Sequence, residues 1–420
     1  MPIRVAFLTF YFEAWEALAQ IWQDMVEDER FEPVVITVPR KLTGDTQYTD
    51  ESKVHEYFEA AGIPHLRFDY EDSLEGLRRL RDELKPDYVF LNYPWQRNYQ
   101  PGYRVEKLSQ FTKVCYVPYY SLPLVNEPGT IGVAPHLYRQ RSHQLASLVF
   151  TQDQNVLDAY ATTQRGNGYV HLTGSPKIDS LMTEAKEGHG AWPIHRPGDH
   201  SRHFRLVWAP HHSYGENWLN FGLFQHMYLQ MLEFAKTHPD VDIVMRPHPF
   251  LFGTLVDRNV VSAAQLEDWL TEWLDLPNTV IHTAGGYASM FKACDLMLTD
   301  GISFIGEFPL VTGKPAVFLE NRGHWSFSPL GEIAAAANLR LESFGQFDAL
   351  FDEIRTTGMP DRSEEIAALR KAAAPYPGQA SARIVDIVAQ DYLAGTPLVD
   401  AHKITEVAWE NEPGKEPLVD

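Results

Sequence analysis

Arg246 and His248 stand two residues apart in "MRPHP", stiffened by Pro247 and Pro249. An arginine offers phosphate oxygens a fixed fork of donors, and a nearby histidine adds a donor or a proton acceptor. A structural ion pair and a strand cap is the competing reading of these two residues. His211 and His212 close a second apolar run, "WAPHHS". A third run ends at Asp300 and Gly301, followed by Ser303 and, four residues later, Glu307. The Ser303 hydroxyl and nearby backbone N–H groups could hold a phosphate, cap a helix, or do both. Glu307 suits hydrogen bonds from ribose hydroxyls, or plain solvent exposure. A phosphate-bearing small ligand is the chemistry these residues share.

The elements that must position them alternate. Apolar β-like runs and helical periodicities follow one another on both sides of a break at "KEGHGAWPIHRPGDHSRHFR", which holds four of the seventeen histidines. Such alternation predicts βα units and mostly parallel sheets. The break reads as a solvated linker, its histidines too irregularly spaced for a metal site. We expect an N-terminal α/β domain over 1–190, a C-terminal one over 200–375, and helices with a tail over 376–420 that could cross back to the first. In an open parallel sheet, ligands sit beyond the C-terminal strand ends. His211, Arg246, His248, Asp300 and Ser303 fall at such ends in the second domain. Tyr93, Trp95 and Arg97 in "DYVFLNYPWQRNY", and Tyr120 in "KVCYVPYYS", do so in the first.

Composition narrows the classes. The chain has 420 residues, long for one core and suited to two domains. Its formal charge of -20 argues against a nucleic-acid partner. Cys115 and Cys294 lie in apolar contexts, as buried thiols do, and form neither a disulfide framework nor a metal set. No run of 18 apolar residues predicts a membrane span, and the first residues carry no signal-peptide pattern. A cytoplasmic protein is expected, with peripheral contact at the inner membrane face left open by the aromatic-rich N-terminal half. No G-x-G-x-x-G follows the first strand, and neither G-x-S-x-G nor H-E-x-x-H occurs. "TAGGYAS" is glycine-rich without being a P-loop.

The C-terminal half resembles the CDP-glycerol glycerophosphotransferase family, the teichoic-acid-polymerase-like enzymes. The matching residues are "WAPHHS", "MRPHP" and "KACDLMLTDGISFIGEFPLVTGKP", with "LTGSPKID" ahead of the break. The last block is also similar to the nucleotide-binding block of other enzymes with two facing Rossmann-like domains and a cleft between them, the GT-B fold. The resemblance implies that the second domain binds a nucleotide-activated donor through Arg246, His248, Asp300, Ser303 and Glu307. It implies that the first binds the acceptor, on the side of Tyr93, Trp95, Arg97 and Tyr120. No bound metal and no cofactor are implied. The family's Thr-Trp-His-Gly block is missing here; the analogous region reads "VPYYSLP". The base is therefore open among His211, His248 and a carboxylate of the first domain.

The implied activity is transfer of a polyol-phosphate group from a CDP-activated donor to a hydroxyl of a cell-surface polymer or lipid-linked acceptor. The alternatives are a glycosyltransferase with a nucleotide-sugar donor, a nucleotide-sugar epimerase, and a non-catalytic binding protein.

Overall fold

The computed structural model describes residues 1–42, 47–49, 51–187, 192–196, 198, 201–215, 219–283 and 286–414. The chain forms two compact units. Unit 1 comprises Met1–Ser121, Val133–Ser180 and Ala373–Asp420; unit 2 comprises Leu122–Gly132 and Leu181–Ala372.

Unit 1 is built on strands β1 (Ile3–Thr9), β2 (Phe31–Thr37), β3 (His65–Arg67), β4 (Tyr88–Leu91), β5 (Lys113–Tyr116), β6 (Leu148–Thr151) and β7 (Val170–Leu172). They form one parallel sheet in the order β3-β2-β1-β4-β5-β6-β7. Side chains alternate across it, as a strand's period of two requires. Val5 and Phe7 enter one core with Trp15, Phe58 and Phe90, while Ala6 and Leu8 enter the other with Ile36, Val89 and Leu91. Both faces are covered, so the strands read as nearly unbroken apolar runs. The helix Ala380–Ala394 drives Ile384, Val385 and Val388 into the first of these cores. That burial places the C-terminal residues in unit 1.

Unit 2 repeats the plan with β8 (Phe204–Ala209), β9 (Val241–Met245), β10 (Thr279–Ile281), β11 (Leu296–Thr299), β12 (Val317–Leu319) and β13 (Leu339–Leu341). Its parallel order is β10-β9-β8-β11-β12-β13, a Rossmann-type arrangement that reverses between β8 and β11. Trp208 anchors the core, stacked on Phe224 at 5.6 Å and edge-on to Trp269 at 5.9 Å. Truncating such a side chain to alanine costs about 3–5 kcal/mol. Two separate, helix-flanked parallel sheets are the fold class that the alternating pattern predicts.

One helix matters most for the site. Ile302–Thr312 carries Pro309 in its interior. Proline has no N–H for the carbonyl four residues earlier, that of Ile305. Asn338 supplies the missing donor through Nδ2, 2.7 Å from the Ile305 oxygen. Gly313 closes the helix in the left-handed region, φ 74°. The break expected over 186–204 lies partly outside the described residues (188–191, 197, 199 and 200). Within it, Trp192 Nε1 and Arg196 Nε donate to the buried carboxylate of Asp242 at 3.2 and 2.9 Å. Two residues of "TAGGYAS", 284 and 285, also lie outside the described residues.

Candidate functional site

The polar residues of unit 2 gather where its strand order reverses. β8 runs out into Pro210, His211 and His212, β9 into Arg246, Pro247 and His248, and β11 into Asp300 and Gly301. The His248 N–H donates to the Pro210 oxygen at 3.1 Å, which ties the first two loops together. Gly301 allows a close approach: a Cβ there would lie 3.1 Å from Cδ2 and 3.4 Å from Cβ of His211, tight enough to press on the imidazole.

Three imidazoles cluster as a result. His212 and His248 stack at 3.7 Å between centroids, with His211 4.7 and 5.4 Å from them. One ring nitrogen from each lies within 4.8 Å of the others, close enough to face a common ligand or a metal ion. The hydrogen bonds distinguish these two uses. His211 Nδ1 receives the Ser213 N–H at 3.3 Å and lies 2.8 Å from the Ser213 hydroxyl. His248 Nδ1 receives the Phe250 N–H at 3.2 Å. A neutral ring whose Nδ1 accepts carries its hydrogen on Nε2. His211 and His248 therefore present N–H donors, whereas a metal needs a lone pair. Burial drives all three below the ordinary histidine range, with His212 at about 4. Neighbouring histidines lower His211 and His248 further, and Arg258 lowers His212. The rings are neutral at pH 7.

Asp300 is fully buried. Its Oδ1 accepts the His211 N–H and its Oδ2 the Leu223 N–H, each at 2.6 Å. Burial pushes its carboxyl up to about 7 against those two bonds. It holds both ends of the loop from His211 to Leu223, in which Leu219 and Asn220 take left-handed φ of 53° and 55°. Non-glycine residues adopt that region rarely, usually where surrounding bonds enforce it. Here Asn321 Nδ2 donates to the Asn220 oxygen at 2.8 Å and the Trp325 N–H to the Leu219 oxygen at 2.9 Å.

A second polar chain begins at Arg246. Its guanidinium lies 2.9 Å from His282 Nδ1 and donates to the His282 carbonyl at 3.1 Å. It also covers the Tyr287 ring at 5.6 Å. The Tyr287 hydroxyl donates to Glu307 Oε2 at 2.6 Å, and Glu307 is buried. His282 is held below its ordinary range by burial first and by Arg246 second. Ser303 is exposed in the first turn of its helix. The helix starts at Ile302, two residues before the run that Ser303 would cap, so Gly301 is the N-cap and no side chain caps the turn.

Among the second-domain candidates, the structure brings His211 and His248 together and fixes His211 through Asp300. It links Arg246 to Glu307 through Tyr287. His282 and Tyr287 escaped the site reading, and His212 was placed at its strand end without a role. The local signals were a histidine ending a short β-run and a tyrosine after two glycines.

In unit 1, Tyr93 is buried against Phe10 at 5.2 Å and Tyr119 at 5.1 Å, and Tyr120 meets Tyr119 at 5.5 Å. Trp95 stacks on His136 at 5.9 Å, and the carbonyl of Arg97 accepts the Tyr48 hydroxyl at 3.1 Å. Tyr93 and Tyr120 belong to one aromatic group through Tyr119. Among the described residues no helix is long and apolar enough to cross a membrane.

No protein-family model matches the chain. No curated protein matches it. Solved structures do. A UDP-N-acetylglucosamine 2-epimerase matches with TM-score 0.61 at 16% identity over 95% of this chain and 98% of that one. The UDP-GlcNAc 2-epimerase of Neisseria meningitidis, bound to UDP-GlcNAc, gives 0.60 at 15% over 93% and 100%. The wall teichoic acid polymerase TagF gives 0.54 at 12% over 94% and 90%. At these identities the likeness is one of fold alone: the chain shares a GT-B-like two-domain fold with the epimerases and the polymerase.

Proposed function

We propose that the protein is an enzyme acting on a nucleotide-activated sugar, with the nucleotide's diphosphate held in unit 2. The observation that carries this is the pair of neutral N–H donors, His211 and His248, at the β8/β11 reversal. Arg246 and the helix start at Gly301, which no side chain caps, arise from the same C-terminal edge of the sheet. Donors, an arginine fork and a helix N-terminus are what a diphosphate requires. When the bond between the anomeric carbon and the diphosphate oxygen breaks, negative charge collects on the departing oxygen. Preorganised donors stabilise that charge, each contributing about 3–4 kcal/mol in comparable sites. Asp300 acts by fixing the His211 backbone, and Glu307 by holding Tyr287 under Arg246. The step needs no metal, since two of the three imidazoles face the ligand with hydrogens. A hydroxyl acceptor, saccharide or lipid-linked, would be bound by unit 1, its proton taken by a base as the new bond forms.

A second reading, transfer of a polyol phosphate from a CDP donor, is favoured by "MRPHP" and by the "LTDGISFIGE" block. The same donors would then stabilise departing CMP.

Calorimetric titration with UDP, CDP, UDP-GlcNAc, UDP-glucose and CDP-glycerol tests both. UDP and a UDP-sugar are expected to bind, and Arg246→Ala and His248→Ala to weaken binding by about tenfold or more, roughly 1.4 kcal/mol. Preference for CDP-glycerol moves the assignment to the second reading. Absence of nucleotide binding, or binding indifferent to both substitutions, removes the assignment altogether.

A further inference from the structure

Unit 1 carries a cavity of about 400 Å³ at the N-terminal edge of its sheet, opposite the edge at which open parallel sheets bind ligands. Arg4 lies near the start of β1, Asp87 immediately before β4, and Lys113 at the start of β5. β1, β4 and β5 are parallel neighbours, so these three residues share that edge. Arg81 and Lys85 line the same cavity from the helical turn Arg79–Leu84 and the residue that ends it. Four cations thus meet one carboxylate, in a chain whose 56 acidic residues outnumber its 36 basic ones.

The cations are held in different ways. Lys113 is buried and preorganised: Nζ donates to Asp391 Oδ2 and to the Thr396 hydroxyl, each at 2.6 Å. The Tyr88 hydroxyl donates to the same Asp391 oxygen at 2.6 Å. An ammonium has three hydrogens, and these bonds use two of them. Asp87 accepts the Arg4 N–H at 2.8 Å and lies 3.7 Å from Arg4 Nε. Arg81 pairs at 2.8 Å with Asp82, its neighbour in sequence; both are exposed, where an ion pair stabilises little. Lys85 is exposed and takes a left-handed φ of 47°, which glycine adopts freely and lysine does not. Attraction of cations to a helix C-terminus accounts for Arg81 and Lys85. It does not account for Arg4 and Lys113, which come from strands.

Asp391 balances Lys113, whereas Arg4, Arg81 and Lys85 face Asp87 with positive charge to spare. A single carboxylate from a ligand answers one cation; a doubly charged group with three oxygens answers several at once. We propose that this cavity binds the phosphate of a phosphomonoester, with Lys113 as its fixed, buried donor and Arg4, Arg81 and Lys85 as further donors. No residue of unit 2 lines it, so it stands independently of the nucleotide reading. Tyr392 and Leu398 also line the cavity and are exposed. The same phosphate chemistry is offered by a soluble metabolite and by a phosphatidate headgroup, and the test has an arm for each.

The soluble arm is calorimetric titration of inorganic phosphate and phenyl phosphate into the full chain held in saturating UDP, which fills any nucleotide site in unit 2. The lipid arm is co-sedimentation with vesicles of phosphatidylcholine and phosphatidic acid, against phosphatidylcholine alone. The wild type is expected to bind saturably in at least one arm, and the arm identifies the source. Lys85→Gly and Arg4→Gln should each weaken that binding about fivefold or more. The melting temperature of Lys85→Gly should not fall, because glycine relieves the left-handed backbone. That separates loss of the cation from loss of the fold. Lysine acylation read by mass spectrometry locates the ligand: phosphate should slow modification of Lys85 about threefold relative to chloride of equal ionic strength, and leave Lys371 unchanged. Binding in neither arm, binding indifferent to both substitutions, or equal Lys85 reactivity in phosphate and chloride overturns the assignment. A failure of UDP to bind removes the nucleotide reading and leaves this one standing, since no competing site then needs filling.

Discussion

Asp300 fixes His211 by its backbone: Oδ1 accepts the His211 N–H at 2.6 Å from 89 residues away in the chain. The imidazole is thereby placed without using its own nitrogens. Ser213 takes Nδ1, which leaves Nε2 for a ligand. The other oxygen of Asp300 holds Leu223, so one buried carboxylate closes the loop at both ends.

Asp300→Asn should loosen that loop. An amide offers one acceptor oxygen where the carboxylate offers two, so one of the two N–H groups loses its partner, at a cost of about 1–3 kcal/mol. Hydrogen exchange is expected to rise in residues 211–215 and 219–223, and UDP affinity to fall about tenfold. Wild-type protection of these amides would show that Asp300 does not hold the loop.

The histidine cluster should make the fold acid-sensitive. His212 sits near 4 in the folded state, below its usual 6.5. A depressed histidine contributes stability that is present above the unfolded value and lost as pH falls through the folded one. The window is therefore pH 6.5 to 4. Asp300 acts oppositely: raised to about 7, it contributes stability that is lost as pH rises through that value. Comparing wild type with His212→Gln isolates the histidine. The wild type should lose up to about 3 kcal/mol relative to the variant on acidification. Parallel melting curves across pH 7 to 4.5 would contradict this.

Chelation should leave nucleotide binding unchanged. His211 and His248 present hydrogens, so UDP affinity after EDTA treatment is expected to stay within about twofold. One equivalent of zinc or cobalt per chain by elemental analysis, lost in His248→Ala, would instead make the three rings metal ligands.

Arg246 and Tyr287 should separate binding from stability. Tyr287→Phe keeps the ring under Arg246 and deletes the hydroxyl on Glu307, so urea unfolding should show a loss of about 1–3 kcal/mol with little change in UDP affinity. Arg246→Ala should do the reverse. If both variants shift the same quantity, the two residues do not divide the work in this way.

The sequence by itself determined the alternation of strand and helix, the apolar runs of β8, β9 and β11, and the polar residues that end them. Those features are local: they follow from a period of two or of about 3.6 and from Pro and Gly punctuation. Thus the α/β class of both halves was legible, and with it the set of strand ends from which Arg246, His248 and Asp300 arise. One helix boundary was misread, because Ser303 ahead of an apolar run suits an N-cap and only the tertiary geometry puts the cap at Gly301 and Ser303 inside the first turn.

Tertiary structure alone decided which ends are neighbours. β8 lies beside β11, with two other strands between them in sequence, and Asp300 thereby reaches His211. Arg246 meets His282 and Tyr287, and Glu307 turns inward to Tyr287, because those residues pack at the end of one sheet. No window of sequence contains these pairs. Burial, which depresses the histidines, arises only when distant segments close over them.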